Sequence, residues 1–217
     1  EDATNGLMGA YADVRGLFSR DYYFDGQGEY VRVRDGSGSL SNTTTNITQG
    51  AAYKGGCYFP DPSYRFGAKF DTYYKFCYGG IHRVNYVIEN TLKMIPNAKT
   101  EESKKKLETV IGEARLLRGM IYFRLISMWG DVPYIDHVVY NQTEMDKIVR
   151  TSIAKIKDYI IEDFNYAFEK LPVKSEQIGR ASKPAALAFK GKLELYWACW
   201  NHFGWPELDT FTPSEEE

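Results

Sequence analysis

Apolar residues recur at steps of three and four along several stretches of the chain, a spacing typical of amphipathic helices. The first stretch runs from Ala3 to Ser19, and two longer ones run from Gly67 to Ile95 and from Thr100 to Trp129. The two long stretches are joined by a short turn at Pro96-Asn97, so they predict an antiparallel helical hairpin. We expect the hairpin to bury Ile81, Ile88, Leu117, Ile121 and Leu125.

Two further helices are predicted in the last third of the chain. The first follows Thr151-Ser152, which we expect to cap it, and stops at Pro172. The second opens at Ser182-Lys183-Pro184, because proline is tolerated in the first helical turn. Its periodic residues form an aromatic face, and a second face with small residues that would allow a neighbouring helix to approach closely. An extended run, Val132 to Tyr140, and a polar loop precede this pair.

The helical period disappears between Arg20 and Arg65, where glycine, serine, asparagine and threonine alternate with aromatic residues. This composition predicts a long irregular loop, and loops of that length are usually functional or mobile. The pattern as a whole therefore predicts a mostly all-α chain, in which antiparallel helix pairs carry one long aromatic loop.

Composition removes several classes of protein. Hydrophobic residues make up 43% of the 217, so there is enough apolar material for a core. The 27 basic and 29 acidic residues nearly balance, which argues against nucleic acid as the partner. No run of about 18 apolar residues suggests a membrane span. Three scattered cysteines cannot complete a disulfide framework, and we expect all of them to be buried as small apolar residues. They are Cys57, Cys77 and Cys199.

Motifs for catalysis, cofactors or metals are not found in the sequence. The three histidines lack partners at metal-ligand spacing, and no nucleotide-binding or nucleophile motif occurs. The adjacent carboxylates Glu101-Glu102 and Glu162-Asp163 are interpreted as solvated helix faces. Arg115 and Arg118 lie on an apolar helix, where two roles are open: binding a ligand as cations, or pairing with a carboxylate from a neighbouring helix. We expect the second. Asp131 and Glu113 are the available partners in the sequence.

The segment from Glu113 to Pro133 combines an E-A-R-x-L-R-x-x-x-Y-F helix with a G-D-V-P turn. This combination resembles the signature of the SusD/RagB family of nutrient-binding lipoproteins. The runs Asp163 to Pro172 and Gly179 to Tyr196 are similar to later helices of that family. The matching signature residues are Glu113, Ala114, Arg115, Leu117, Arg118, Tyr122, Phe123, Gly130, Asp131, Val132 and Pro133.

The resemblance implies a tetratricopeptide-like helical array, with residues 1–217 forming a single domain from the amino-terminal part of a longer protein. It also implies a non-enzymatic protein on the external face of the outer membrane. A lipid on residues absent from this chain would anchor it, and it would pass oligosaccharides to a TonB-dependent transporter. Two alternatives stay open: a helical scaffold for protein partners, and a hydrolase with two carboxylates about 5 to 10 Å apart.

We place the ligand surface in the aromatic loop, at Tyr53, Tyr58, Phe59, Tyr64 and Arg65. Sugar rings stack on aromatic side chains while their hydroxyls need polar partners, and this loop offers both. In resembling proteins the loop before the helical hairpin contributes to the glycan platform. The alternative is that these tyrosines only pack the loop onto its own scaffold.

Overall fold

The computed structural model describes residues 2–18, 65–175, 177–205, 208 and 210–214. These residues are mainly helical, which confirms the predicted fold class. A 3-10 turn, Ile95–Asn97, follows the second helix, and two short strands pair antiparallel, with Val132 opposite Thr151. The elements are α1 (Asp2–Phe18), α2 (Arg65–Met94), α3 (Glu101–Trp129), β1 (Val132–Pro133), α4 (Gln142–Met145), β2 (Arg150–Thr151), α5 (Ile153–Lys170) and α6 (Lys183–Phe203).

Short-range chemistry determines where α3 begins and ends. The Thr100 side chain caps α3 by accepting a 3.1 Å hydrogen bond from the Ser103 N–H. Gly130 ends α3 with a φ of 63°, a conformation that favours glycine. Two details differ from the sequence prediction. Ser152 precedes α5 but forms no side-chain cap, and the polar loop contains the short helix α4.

The first three helices run antiparallel to their neighbours. Asp13 of α1 pairs with Arg83 of α2. Gly6, which comes earlier in α1, packs against Val87, which comes later in α2. α2 and α3 are also antiparallel, because residues later in α2 contact residues earlier in α3. A Cβ at Gly80 would lie 3.0 Å from Ile121, and five residues later the Asn85 side chain bonds to Arg118.

The antiparallel order continues through α5 and α6. Gly112 of α3 lies against Leu171, and Gly119 lies against Phe164. Because neither glycine has a side chain, α3 and α5 approach closely along two turns. Between α5 and α6, Lys190 donates a 3.0 Å hydrogen bond to Asn165. Earlier in α5, the Lys157 ammonium lies 4.9 Å from the ring centroid of Trp197, which comes later in α6. Successive antiparallel helices of this kind are the arrangement predicted from the periodicity.

The core lies along the facing sides of these helices. All five residues predicted to be buried in the hairpin are buried, namely Ile81, Ile88, Leu117, Ile121 and Leu125. Cys77 is also buried as predicted, but Cys199 is exposed on the outer face of α6, so that prediction was wrong. Cys57 lies outside the described residues. None of the described helices is both long and apolar enough to cross a membrane.

The chain divides into two compact units. One comprises Glu1–Val14 and Gly79–Glu217 and contains the contacts described below. The other is Arg15–Tyr78. Its described residues are the last turn of α1 and the first half of α2, where Leu17 and Tyr73 are buried. The single domain over residues 1–217 stays a prediction.

Candidate functional site

The predicted ligand residues fall almost entirely outside the described part of the chain. Tyr53, Tyr58, Phe59 and Tyr64 lie outside it, and Arg65 is described only as the first backbone position of α2. Their role as a ligand surface stays a prediction. The polar residues of the signature segment, in contrast, are described in full.

Asp163 of α5 lies at the centre of a buried ion-pair network. Its carboxylate accepts hydrogen bonds from Arg115 Nε at 2.7 Å, and from Arg118 Nε and Nη2 at 2.7 and 2.8 Å. Arg115 also lies over the ring of Tyr166, with its guanidinium carbon 4.6 Å from the ring centroid. Both arginines therefore pair with a neighbouring helix as expected, but the predicted partners, Asp131 and Glu113, were wrong. The interpretation of Asp163 as a solvated carboxylate was also wrong, because it is buried.

The charge of Arg118 follows from its surroundings. Burial alone lowers the pKa of the Arg118 guanidinium, since a charged group is disfavoured away from water. The adjacent Asp163 carboxylate, through its charge and its hydrogen bonds, outweighs that effect and raises the pKa. Arg118 thus remains a cation that cannot act as an acid or a base.

Arg118 also holds the segment that follows the G-D-V-P turn. Its Nη1 donates to the Asp136 carbonyl at 3.1 Å and to the Asn85 side chain at 3.0 Å. Asn85 in turn donates to the carbonyls of Ile135 and His137, at 2.9 and 3.0 Å. Every acceptor in the held segment is a backbone group, so the signature arginine fixes the path of this segment whatever its side chains are.

Tyr122 of the signature completes the same attachment. Its hydroxyl donates to the Ile135 carbonyl at 3.1 Å and accepts from the Ile135 N–H at 2.7 Å. Burial raises the pKa of the Tyr122 hydroxyl, and the hydrogen bond with Ile135 only partly opposes this. The hydroxyl is therefore a neutral anchor.

Glu113, the first signature residue, joins three separate parts of the chain. It is buried, and it accepts a 2.7 Å hydrogen bond from Arg180 Nε, which lies shortly before α6. The Tyr11 hydroxyl of α1 donates to Glu113 and accepts from the Ala181 N–H at 2.8 Å. Burial and the neighbouring Glu113 carboxylate raise the pKa of Tyr11. These bonds tie α1 and the approach to α6 to the middle of α3.

The G-D-V-P turn is likewise occupied by contacts within the fold. Asp131 Oδ1 accepts from the Ile153 N–H at 2.8 Å and thus caps α5 in place of Ser152. Its Oδ2 accepts from the Thr210 hydroxyl at 2.6 Å. A Cβ at Gly130 would lie 3.1 Å from Leu208, so the returning chain packs closely on this turn.

The signature residues described above therefore act as structural groups. Each of these buried polar side chains binds another helix or a backbone segment. Within the described residues, no group of three or more histidine, cysteine, aspartate or glutamate side chains could hold a metal ion.

Two important members of the network, Asp163 and Asn85, were missed by the sequence analysis. Both interrupt an apolar helix stripe: Asp163 falls between Ile160 and Ala167, and Asn85 falls between Ile81 and Ile88. A polar residue at a buried helical position requires a partner, and this was the available signal. The identity of the partner depended on packing.

Comparison with known proteins supports the family suggested by the signature. A SusD-like family model, described as "Starch-binding associating with outer membrane", matches residues 36–195. A SusD-like protein of Bacteroides ovatus is 33% identical over 129 residues, which is 58% of this chain and 22% of that protein. SusD-like protein P2 of Formosa agariphila is 34% identical over 96 residues, or 43% of this chain and 19% of that protein.

A solved structure shows the same fold. A laminarin-binding SusD-like protein covers 93% of this chain with a TM-score of 0.65 at 24% identity. The match takes up 41% of that structure, and the chain spans only about a fifth of the length of the two curated relatives. With the family model matched over most of its length, this chain belongs to the SusD-like family.

Proposed function

We propose that this chain is the amino-terminal part of a cell-surface protein that captures oligosaccharides for import. The observation that carries the proposal is the family match over residues 36–195, since that family is described as starch-binding at the outer membrane. The two curated relatives, both named as SusD-like proteins, support it as well.

We keep the aromatic loop as the proposed ligand surface, at Tyr53, Tyr58, Phe59, Tyr64 and Arg65. The main polar side chains of the signature helix are engaged within the scaffold, which leaves binding to other parts of the chain. The loop combines aromatic rings for sugar stacking with a guanidinium for hydroxyl groups.

Calorimetry with a panel of oligosaccharides tests this surface. Replacing Tyr58 or Tyr64 by alanine should weaken binding at least tenfold, about 1.4 kcal/mol, because a stacking ring is lost. Phe168→Ala is the matched control, since Phe168 is an exposed aromatic residue on α5. Unchanged affinity in both tyrosine variants would exclude the loop as the ligand surface.

We further propose that the protein binds glycans without cleaving them. The description of the matching family, "Starch-binding associating with outer membrane", names binding and supports this proposal. Long incubation with oligosaccharides should yield no new reducing ends. New ends that disappear when one carboxylate is replaced would refute the proposal.

By the same family relationship, we propose a lipid-anchored position on the external face of the outer membrane and a TonB-dependent transporter as partner. Protease treatment of intact cells should remove the full-length protein from the surface. Purification of that protein should recover the transporter with it. Recovery in the soluble periplasmic fraction would contradict the location.

One observation favours the alternative function, a scaffold for protein partners. Two large apolar side chains of α6, Leu187 and Leu195, are exposed. Exposed apolar patches are common at protein interfaces. The scaffold function would be favoured if no saccharide binds and if a purified protein partner loses its affinity on Leu195→Glu.

A further inference from the structure

Two exposed tyrosines flank one carboxylate on the outer side of α2. Tyr86 is 53% exposed and lies one helical turn before Glu89. Tyr140, from the segment after β1, is 68% exposed, and its hydroxyl donates to Glu89 Oε2 at 3.2 Å. Side chains three apart on a helix share a face, so both rings border the same carboxylate.

The fold holds the Tyr140 ring in place although the ring is exposed. Its backbone N–H donates to Glu144 Oε2 at 3.2 Å, and its hydroxyl is bound by Glu89 as described. The other oxygen of Glu89 accepts from the Val138 N–H at 2.7 Å, which fixes the carboxylate as well. A ring positioned in advance loses less conformational entropy when a ligand stacks on it.

The groups around these rings are mainly hydrogen-bond acceptors. Glu89, Asp136 and Glu144 contribute three carboxylates, and His137 is bonded to Asp136 and Glu144. Arg118 also lies close to Asp136, but its charge is offset by its buried partner Asp163. The negative charge of three carboxylates therefore exceeds the charge of one imidazole, whether or not the imidazole is protonated. Each carboxylate has more acceptor positions than the bonds described use, so ligand hydroxyl groups can donate to them.

We propose that Tyr86 and Tyr140, together with Glu89 and Glu144, form a further glycan contact site for neutral hexopyranose units. The C–H face of a sugar stacks on the rings, and its hydroxyls donate to the carboxylates. Anionic sugars are repelled by the same carboxylates. The site rests on the proposed glycan-binding function and uses residues other than the predicted loop.

The 217-residue protein can be tested with maltohexaose and laminarihexaose as neutral probes and hexagalacturonate as an anionic probe. Tyrosine ring signals are followed by NMR, and Tyr86 and Tyr140 are assigned from their alanine variants. A neutral probe should shift both signals in a saturable way, whereas hexagalacturonate should shift neither. Calorimetry then gives the affinity.

Tyr86→Ala and Tyr140→Ala should each weaken binding at this site by about tenfold, which is typical of truncating an aromatic side chain that the ligand covers. Tyr140→Phe keeps the ring and loses its bond to Glu89, so it should lose less affinity than Tyr140→Ala. Phe203→Ala is the matched control, because this ring is 77% exposed on α6. It should leave the affinity unchanged, and circular dichroism should show the same helix content in all variants.

Three outcomes would overturn the site. If a neutral probe binds without shifting Tyr86 or Tyr140 and the alanine variants keep full affinity, the site is refuted while the proposed function stands. Shifts caused by hexagalacturonate alone would refute its specificity for neutral sugars. If an array of neutral and anionic oligosaccharides shows no binding at all, the proposed function fails, and this site with it.

Discussion

Replacing Asp163 by asparagine should be among the most destabilising single changes in the described scaffold. Asparagine has nearly the same shape, so the change removes charge without leaving a cavity. The Asp163 and Arg118 side chains are only 2% and 5% exposed, and Arg118 cannot lose its proton to relieve the loss. Leaving one partner of a buried pair uncompensated costs about 3 to 5 kcal/mol. Against a domain stability of about 5 to 15 kcal/mol, this is a large fraction.

Urea unfolding followed by circular dichroism measures this cost. Glu102→Gln is the control. Glu102 accepts a 2.7 Å hydrogen bond from Lys106, as short as the two Nε bonds to Asp163, but the Lys106 and Glu102 side chains are 74% and 77% exposed. The control should leave the unfolding midpoint unchanged, since exposed pairs contribute little. If Asp163→Asn lowers the free energy of unfolding by less than about 1 kcal/mol, burial does not make this pair essential and the reasoning fails.

Other predictions concern packing and pH. Leu125→Ala should cost about 2 to 5 kcal/mol in urea unfolding, because Leu125 is fully buried, and a loss below half a kcal/mol would contradict its core position. Gly119→Ala should cost about 1 to 3 kcal/mol, since its Cβ would lie 2.6 Å from Phe164 Cε1. Gly191→Ala should instead stabilise α6 by about 1 kcal/mol, because nothing lies within 4 Å of the added Cβ. Equal effects of Gly119→Ala and Gly191→Ala on the free energy of unfolding would refute the proposed difference in packing.

The hydrogen bond to Asp136 has the largest effect on His137, and together with the hydrogen bond to Glu144 it raises the pKa of His137 above its ordinary value of 6.5. The contribution of His137 to the stability of the fold should be complete below pH 6.5 and should be lost as the pH rises through the raised pKa. His137→Gln should abolish this pH dependence of the unfolding temperature. A variant with the same pH dependence as the unmodified protein would refute the prediction.

The local sequence pattern predicted the long helices among the described residues accurately. The period of apolar residues identified both arms of the hairpin, and Gly130 and Pro172 marked two of the ends within one or two residues. These features are readable because they depend on neighbours a few residues apart. The burial of Leu117 and Ile121 followed from the same period.

Polar partners were decided only by the tertiary structure. Arg115 and Arg118 could be predicted to need a carboxylate, but the two partners named from the sequence, Asp131 and Glu113, were wrong. The antiparallel packing of α3 against α5 selected Asp163. Cys199 has the apolar neighbours of a core residue, yet the last described helix turns it outward. The sequence by itself therefore determined which segments are helical and which faces are apolar. The pairing of buried charges depended on residues 45 or more apart in the chain, whose proximity arises only when the helices pack.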